Sequence, residues 1–495
     1  MKHALRTALK PTTVAAAALF AGGLLPSSAV RAADPYDKSL EARVEALEKE
    51  LNLMENDSKG KNVQSPTEVP TFVRAASNVQ ELTFSGELRL RNEYGITDNQ
   101  AANNTTQSDV NRFRFRLFAD YKLNNNFFAG AAVQTAIAAD SGNTTFSEGF
   151  DNYSLYLWRF FIGWHSKDDS LKFIVGKQPN PFYEETELLW DADISPTGIT
   201  EQVKYEISPQ FSLGLVAGQF IFNDNPENAF YNGNGTNAPA AGTAVPGGDA
   251  NQDAYLAYQQ IVATFKVNNN LTITGAGGYL FYPEHGGTGA TISVNPSSGN
   301  AGAGRGAGNT IGQNGNVLGN AAPFNSPNAT RNLSLGTFNG DVKVGLGPVK
   351  VKAYAQGAYN FQGGSRVQEE YASLATGGAT ALGKDSTTDK VAFATGVTVG
   401  SDYQIKKKGD YVLLAEYRQV GLGSVDPNLN DSDFNFSRLG FRGVKVAGSY
   451  GFYPWLIGTV TYYGANNVGS EKNLNLAIGN YNASHIIQFD LTAKF

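Results

Sequence analysis

Residues Ala483 to Phe495 read ASHIIQFDLTAKF, and this stretch decides the fold. Apolar residues such as Ile487 and Phe489 alternate with polar ones such as Gln488 and Asp490, which is the period of two of a β-strand with one apolar face. A soluble sandwich would turn that face to a core, whereas a membrane barrel would turn it to lipid. Because the chain ends on this strand with an aromatic residue, we expect it to be the closing strand of a membrane barrel.

The chain from Glu81 onward divides into sixteen segments of strand length, an even number that suits a closed barrel of one chain. They are residues 81 to 94, 111 to 123, 127 to 138, 152 to 165, 170 to 178, 198 to 207, 211 to 222, 253 to 267, 271 to 282, 332 to 346, 349 to 361, 389 to 403, 411 to 420, 434 to 451, 455 to 464 and 483 to 495. Short connections alternate with long ones, which is typical of a barrel with turns at one rim and loops at the other. The sequence therefore predicts an all-β fold, a transmembrane antiparallel β-barrel of about sixteen strands over residues 81–495.

The residues before Glu81 divide into three predicted parts. Residues 1–32 have a basic start, an apolar run and a small-residue cleavage site, which indicates a cleaved signal peptide. Residues 33–56 carry apolar residues at heptad spacing, which predicts a short periplasmic coiled coil between subunits or a solvated amphipathic helix. Residues 57–80 are a polar linker. The heptad positions are Leu40, Val44, Leu47, Leu51 and Met54.

Composition argues against most enzyme and cofactor chemistry. The chain has no Cys and only 4 His, so thiol nucleophiles, attached haem and zinc–cysteine sites are excluded. No G-x-S-x-G motif occurs, and no twelve-residue calcium loop pattern is present. The net charge of −6 argues against nucleic acid as a partner. We expect no enzyme activity, no cofactor and no metal.

Arginines recur on one face of the first two predicted strands. Because an Arg in mid-bilayer on the lipid face costs about 2–4 kcal/mol, these side chains are expected to face the lumen. They either solvate a water-filled wall or form the positive side of a pore constriction. The predicted pore-lining residues are Arg89, Arg91, Arg112, Arg114, Arg116, Arg418, Arg438 and Arg442.

The third long connection carries acidic residues among bulky apolar ones. If it folds into the lumen, Leu188, Leu189 and Trp190 pack on the wall and the acids approach the arginines, giving a transverse field across a narrow aperture. If it lies on the rim, the acids only line the entrance. The predicted constriction residues are Glu184, Glu185, Glu187, Asp191 and Asp193.

The segment from Gly176 to Phe182, GKQPNPF, followed by Trp190-Asp191 and ending with Phe495, resembles the bacterial outer-membrane putative porins. The resemblance implies a trimeric, water-filled diffusion channel in the outer membrane of a Gram-negative bacterium, surrounded by outer-membrane lipid, with the third loop as its constriction. The N-terminal segment would then reach towards peptidoglycan. The alternative is a barrel plugged by its loops that serves as an outer-membrane anchor or binding protein.

Overall fold

The computed structural model describes residues 81–99, 104–123, 125–136, 141–146, 152–223, 254–285, 333–371, 387–426, 429–437, 439–469 and 483–495. The predicted signal peptide, coiled coil and linker lie outside these residues, as does Arg438. β-Strands make up most of the described part, which contains little helix.

Seventeen strands run through the described residues. They are β1 (Glu81–Asn99), β2 (Asn104–Lys122), β3 (Phe127–Gln134), β4 (Thr144–Thr145), β5 (Tyr156–His165), β6 (Leu171–Lys177), β7 (Thr197–Glu206), β8 (Phe211–Asn223), β9 (Ala254–Asn268), β10 (Leu271–His285), β11 (Ser334–Leu346), β12 (Val349–Asn360), β13 (Val391–Gly400), β14 (Tyr411–Val420), β15 (Phe441–Tyr453), β16 (Leu456–Asn467) and β17 (Ala483–Lys494). β3 and β4 pair with successive parts of β2 and share one position in the wall. The wall therefore has sixteen positions, which confirms the predicted barrel.

β1 closes the barrel because it pairs with both β2 and β17. Leu90 lies opposite Phe113 of β2 and Leu491 of β17. All pairings between described strands are antiparallel. The final stretch of the chain is thus the closing strand, as its alternation and position predict.

The two faces of each strand differ in polarity in the sense that a membrane barrel requires. Along β17, Phe489 is 41% exposed on the outside, whereas its neighbour Gln488 is buried inside. The outward side chains Leu88 of β1 and Leu413 of β14 are likewise exposed. Apolar groups on the outside and polar groups on the inside reverse the arrangement of a soluble protein, because lipid replaces the core as the apolar surrounding.

Several predicted strand boundaries were wrong, and two regions differ most. The connection predicted at 95–110 is mostly strand, because β1 and β2 continue to pair up to Asn99 and Asn104. Both faces of the strands are polar there, so apolar and polar residues no longer alternate. The backbone hydrogen bonds between the strands continue because they do not depend on that alternation. The strand predicted from 434 begins only at Phe441, since Phe434–Ser437 form a short 3₁₀ helix.

The turns at one rim are tight, and the other rim carries the longer connections. β11 and β12 are joined by Gly347 and Pro348 alone, and Gly347 has a φ of +64°, which glycine adopts without strain. At the other rim lie the helices α1 (Gly363–Tyr371) and α2 (Thr387–Lys390). Within the described ranges, no helix has the length and apolarity to cross a membrane.

Candidate functional site: a loop folded into the barrel

The connection between β6 and β7, residues 178–196 and here called the third loop, lies inside the barrel. Leu188 is fully buried, and Leu189 and Trp190 are at most 3% exposed. Phe182 packs on Tyr258 of β9, with ring centroids 4.1 Å apart. The apolar residues of the loop thus pack against inward-facing side chains of the wall, and of the two placements that the sequence allowed, the loop takes the inner one.

The first part of the loop is attached to β9 and β11 through Tyr183. Its backbone N–H donates to Gln260 Oε1 at 2.8 Å, and its carbonyl accepts from Asn339 Nδ2 at 3.1 Å. The Tyr183 hydroxyl donates to Asp341 Oδ2 at 2.8 Å. Three bonds to two strands fix the loop on the side of the lumen opposite β2.

The next acids bind β12 rather than the arginines. Lys352 Nζ donates to Glu185 Oε2 at 2.6 Å, and Gln356 Nε2 donates to Glu184 Oε2. Thr186 N–H donates to Gln356 Oε1 at 3.0 Å, so the amide of Gln356 spans two loop residues. Burial raises the pKa of Glu184 to about 8 even though the bond from Gln356 opposes the shift.

The middle of the third loop binds a second connection, between β14 and β15, whose described residues 421–426, 429–437 and 439–440 fold inward and are here called the seventh loop. Asp191 N–H donates to the Leu429 carbonyl at 2.6 Å, and its carboxylate accepts from Ser432 N–H at 2.7 Å. Glu187 accepts from Asp431 N–H at 3.0 Å through its carbonyl and faces Lys445 Nζ at 3.7 Å through its carboxylate. The two loops therefore hold one another by backbone and side-chain bonds.

The last acid, Asp193, binds the arginine wall directly. Its Oδ1 accepts from Arg114 Nη1 at 3.0 Å and from Arg116 Nη2 at 2.7 Å, and its Oδ2 accepts from Gly142 N–H at 2.7 Å. Burial alone would raise the pKa of Asp193, but the guanidinium groups of Arg114, Arg116 and Arg89 outweigh it and lower the pKa. Asp193 is therefore a charged clamp between the loop and the wall.

Most predicted wall arginines are paired with carboxylates. Arg91 binds Asp433 at 2.8 Å and Asp490 at 2.7 Å. Arg112 lies 3.2 Å from Glu93, Arg114 lies 2.6 Å from Glu87, and Arg418 binds Glu416 and Asp431 at 2.8 and 2.9 Å. Where a transverse field between separated charges was expected, the opposite charges are largely in contact.

Arg442 lies on the outside of the barrel rather than in the lumen, where it was expected. It shares the outward face of β15 with Val444 and Val446, both of which are exposed. The inward cation of this strand is Lys445, beside Glu187. The alternation in Phe441 to Val446, FRGVKV, indicates the outward position of Arg442, because the two valines mark the lipid face and Arg442 shares their parity.

Two lumenal residues that the sequence analysis did not single out are adjacent in sequence. Ala132 pairs with Arg159 and Val133 pairs with Leu157, so Trp158 is the extra residue of a β-bulge. The bulge lets Trp158 and Arg159 both face inward, whereas Leu157 faces outward and is 59% exposed. Strict alternation would have placed one of them on the lipid face, which is why sequence reasoning missed the pair.

Apolar side chains fill much of the lumen towards the rim of the long loops. A continuous buried cluster joins the third and seventh loops and α1 to inward residues of β8 to β17, including Phe220, Leu280, Val420 and Ile486. The sector from β1 to β6 contributes no residue to that cluster within the described ranges. Towards the other rim, this sector holds a cavity of about 530 Å³ lined by Glu81, Asp120, Lys122, His165 and Lys172, among others.

Comparison with known proteins gives a family. Residues 65–495 match the family model described as putative porin. Among solved structures, the chain is similar to Salmonella typhi OmpF in complex with daunomycin, with 10% identity and a TM-score of 0.42 over 85% of this chain and 99% of that one. It is also similar to the anion-selective porin from Comamonas acidovorans, with 8% identity and a TM-score of 0.40 over 84% and 99%. The outer-membrane channel DcaP of Acinetobacter baumannii matches with 9% identity and a TM-score of 0.39 over 84% and 97%. No curated protein matches the sequence.

Proposed function

Since the chain belongs to the putative porin family of outer-membrane barrels, we propose that small hydrophilic anions and other small solutes diffuse through it along the β1–β6 sector of the lumen. In this proposal the constriction lies beside the contact of Asp193 with Arg114 and Arg116, where the third loop meets the wall of β1, β2 and β5. The apolar cluster has no member in this sector among the residues that the structure describes, which supports this route.

The observation that carries the proposal is the charge balance beside Asp193. Asp193 and Glu87 together balance Arg114 and Arg116. Arg89 and Arg159 have no carboxylate within ion-pair distance in the part of the chain that the structure describes; Arg89 binds Asn143 and Arg159 binds Ser195. Two cations without an ion-pair partner at a constriction favour anions over cations, because the surrounding low-dielectric wall focuses their field.

Planar-bilayer recording of the detergent-purified protein under a salt gradient tests this proposal. The wild type should conduct, with a reversal potential on the anion-selective side. Neutralising Arg89 and Arg159 together with glutamine should move the reversal potential towards zero, because the balanced pairs would remain. Lys204→Gln is the control, since Lys204 is an exposed cation at the other rim, paired with Glu206. An unchanged reversal potential in the double variant would contradict the passage we propose.

A second candidate function is a plugged barrel that anchors or binds a partner. The third loop contacts β2, β5, β9, β11, β12 and β15, and the apolar cluster fills a large part of the lumen, which favours this alternative. A folded barrel that never conducts in the same recording would support it.

Assembly and surroundings complete the proposal. As the family resemblance implies, we propose a homotrimer in outer-membrane lipid, exported by the signal peptide of residues 1–32. Residues 33–56 would extend into the periplasm towards peptidoglycan. Cross-linking of the purified protein, with and without residues 33–56, would measure the subunit number and the contribution of that segment.

A further inference from the structure

The indole of Trp158 lies between two arginines of the proposed constriction. The Arg116 Cζ lies 3.9 Å from the indole centroid, and the Arg159 Cζ lies 3.7 Å from it. Two guanidinium groups have no room on one face of an indole at these distances, so the two cations occupy opposite faces. The ring separates two like charges and attracts both of them through its negative faces.

The ring itself is fixed by contacts that do not involve the cations. Trp158 Nε1–H donates to the Asp193 carbonyl at 3.1 Å, and Phe118 packs edge-on with centroids 5.9 Å apart. Only 5% of Trp158 is exposed. The bulge in β5 is what brings this side chain inward at all, because without it Trp158 and Arg159 would face opposite sides of the wall.

The two arginines depend on Trp158 to different degrees. Arg116 also binds Asp193 at 2.7 Å and Gln134 at 3.1 Å, so it has other strong contacts. Arg159 has the indole face and a single bond from its Nε to Ser195 Oγ at 2.8 Å. Loss of the indole would therefore leave Arg116 in place and release Arg159.

We propose that Trp158 is a positioning residue for ion selectivity, which holds Arg159 at the edge of the third loop; this inference rests on the proposed function. The indole face supplies the attraction that a carboxylate would otherwise supply, and it does so without adding negative charge. Arg159 is thereby ordered without a carboxylate in ion-pair contact with it. A carboxylate in the same place would order the side chain but cancel its effect on passing anions.

The test is the anion-to-cation permeability ratio from reversal potentials of Trp158→Leu, Trp158→Phe, Arg159→Gln and Arg159→Lys. Trp158→Leu should lower the ratio to that of Arg159→Gln, whereas Trp158→Phe keeps an aromatic face and should retain most of the wild-type ratio. Arg159→Lys keeps the charge but loses the planar stack, so it should also lower the ratio. Trp164→Leu is the matched control on the same strand, since Trp164 packs on Phe173.

The outcomes separate this inference from the proposed function. A wild-type ratio in Trp158→Leu, with a lowered ratio in Arg159→Gln, would overturn the role of Trp158 alone. A wild-type ratio in Arg159→Gln would overturn the passage along β1–β6 and this inference with it. If Trp158→Leu does not fold, Arg159→Lys decides: a wild-type ratio in that variant would overturn the positioning role, and a lowered one would support it.

Discussion

Replacing Asp193 with Asn should release the end of the third loop from the wall. The carboxylate binds two guanidinium groups at 2.7 and 3.0 Å, and the side chains of Asp193, Arg114 and Arg116 are 13%, 11% and 7% exposed. Removing one partner of a buried ion pair costs about 3–5 kcal/mol, because the other charges are left buried without compensation. Asn can still accept from Gly142 N–H, so the loss comes mainly from the two ion pairs.

This cost acts on local opening of the loop rather than on the barrel as a whole. Backbone pairing around the closed wall does not involve Asp193, so the barrel should stay folded. A cost of about 3–5 kcal/mol corresponds to roughly a hundred- to a few thousand-fold more frequent opening, since about 1.4 kcal/mol is a factor of ten. Hydrogen exchange measured by mass spectrometry on peptides from residues 178–196 should accelerate by that factor.

The same variant should change the channel current. A released loop edge should add fluctuations to the open-channel current and change the mean conductance. Asp402→Asn is the control, because Asp402 pairs with Lys406 in an exposed turn, where an ion pair contributes little. Exchange in residues 178–196 that is as slow in Asp193→Asn as in the wild type would refute the clamp.

Two further predictions concern carboxylates with unusual surroundings. Burial raises the pKa of Glu184 to about 8, so the native state retains a proton that the unfolded chain loses. Burial of this carboxyl group should therefore stabilise the inward-folded loop less as pH rises from about 4.5 to 8. Glu184→Gln should reduce that pH dependence of hydrogen exchange in residues 178–196, where burial also raises the pKa of Glu187, whereas the exposed-site control Glu206→Gln should leave it unchanged. Glu201 faces outward on β7, between the exposed Ile199 and Val203 and opposite Phe173 and Ala217. An acidic residue on the lipid face destabilises a barrel by less than the ~2–4 kcal/mol of a basic residue at mid-bilayer. Glu201→Leu should therefore raise the free energy of unfolding in lipid by about 1 kcal/mol. The control is Glu206→Leu at the rim. A lower free energy of unfolding in Glu201→Leu than in the wild type would mean that the carboxylate has a partner outside the barrel.

The wall of this barrel could be predicted from the sequence because alternation is a local property. Each strand repeats the same choice between lipid and lumen every second residue, so Arg89 and Arg91 reveal their face within their own strand. The prediction failed where the local rule breaks. Trp158 breaks it through a bulge, and Arg442 was assigned by its charge even though Val444 and Val446 indicated the lipid face.

The partners of the third loop could not be predicted in the same way. Glu184 binds Gln356, Asp191 binds Ser432, and Asp193 binds Arg116, contacts that join residues far apart in the chain. Such contacts depend on how far the loop reaches across the lumen, which no periodicity encodes. The sequence could place acids and arginines on facing surfaces, but not decide whether they would touch.

Contact between the carboxylates and the arginines changes which charged groups can select ions. A guanidinium group whose charge is balanced by a bound carboxylate contributes little field to a solute at a distance, so Arg91, Arg114 and Arg418 act mainly to hold loops and strands together. In the function that we propose, selectivity then depends on cations held without a carboxylate, Arg89 by an amide and Arg159 by an indole and a hydroxyl. In such a lumen the number of arginines is a poor guide to ion preference. The neutral groups that order the unpaired arginines are the residues to change first.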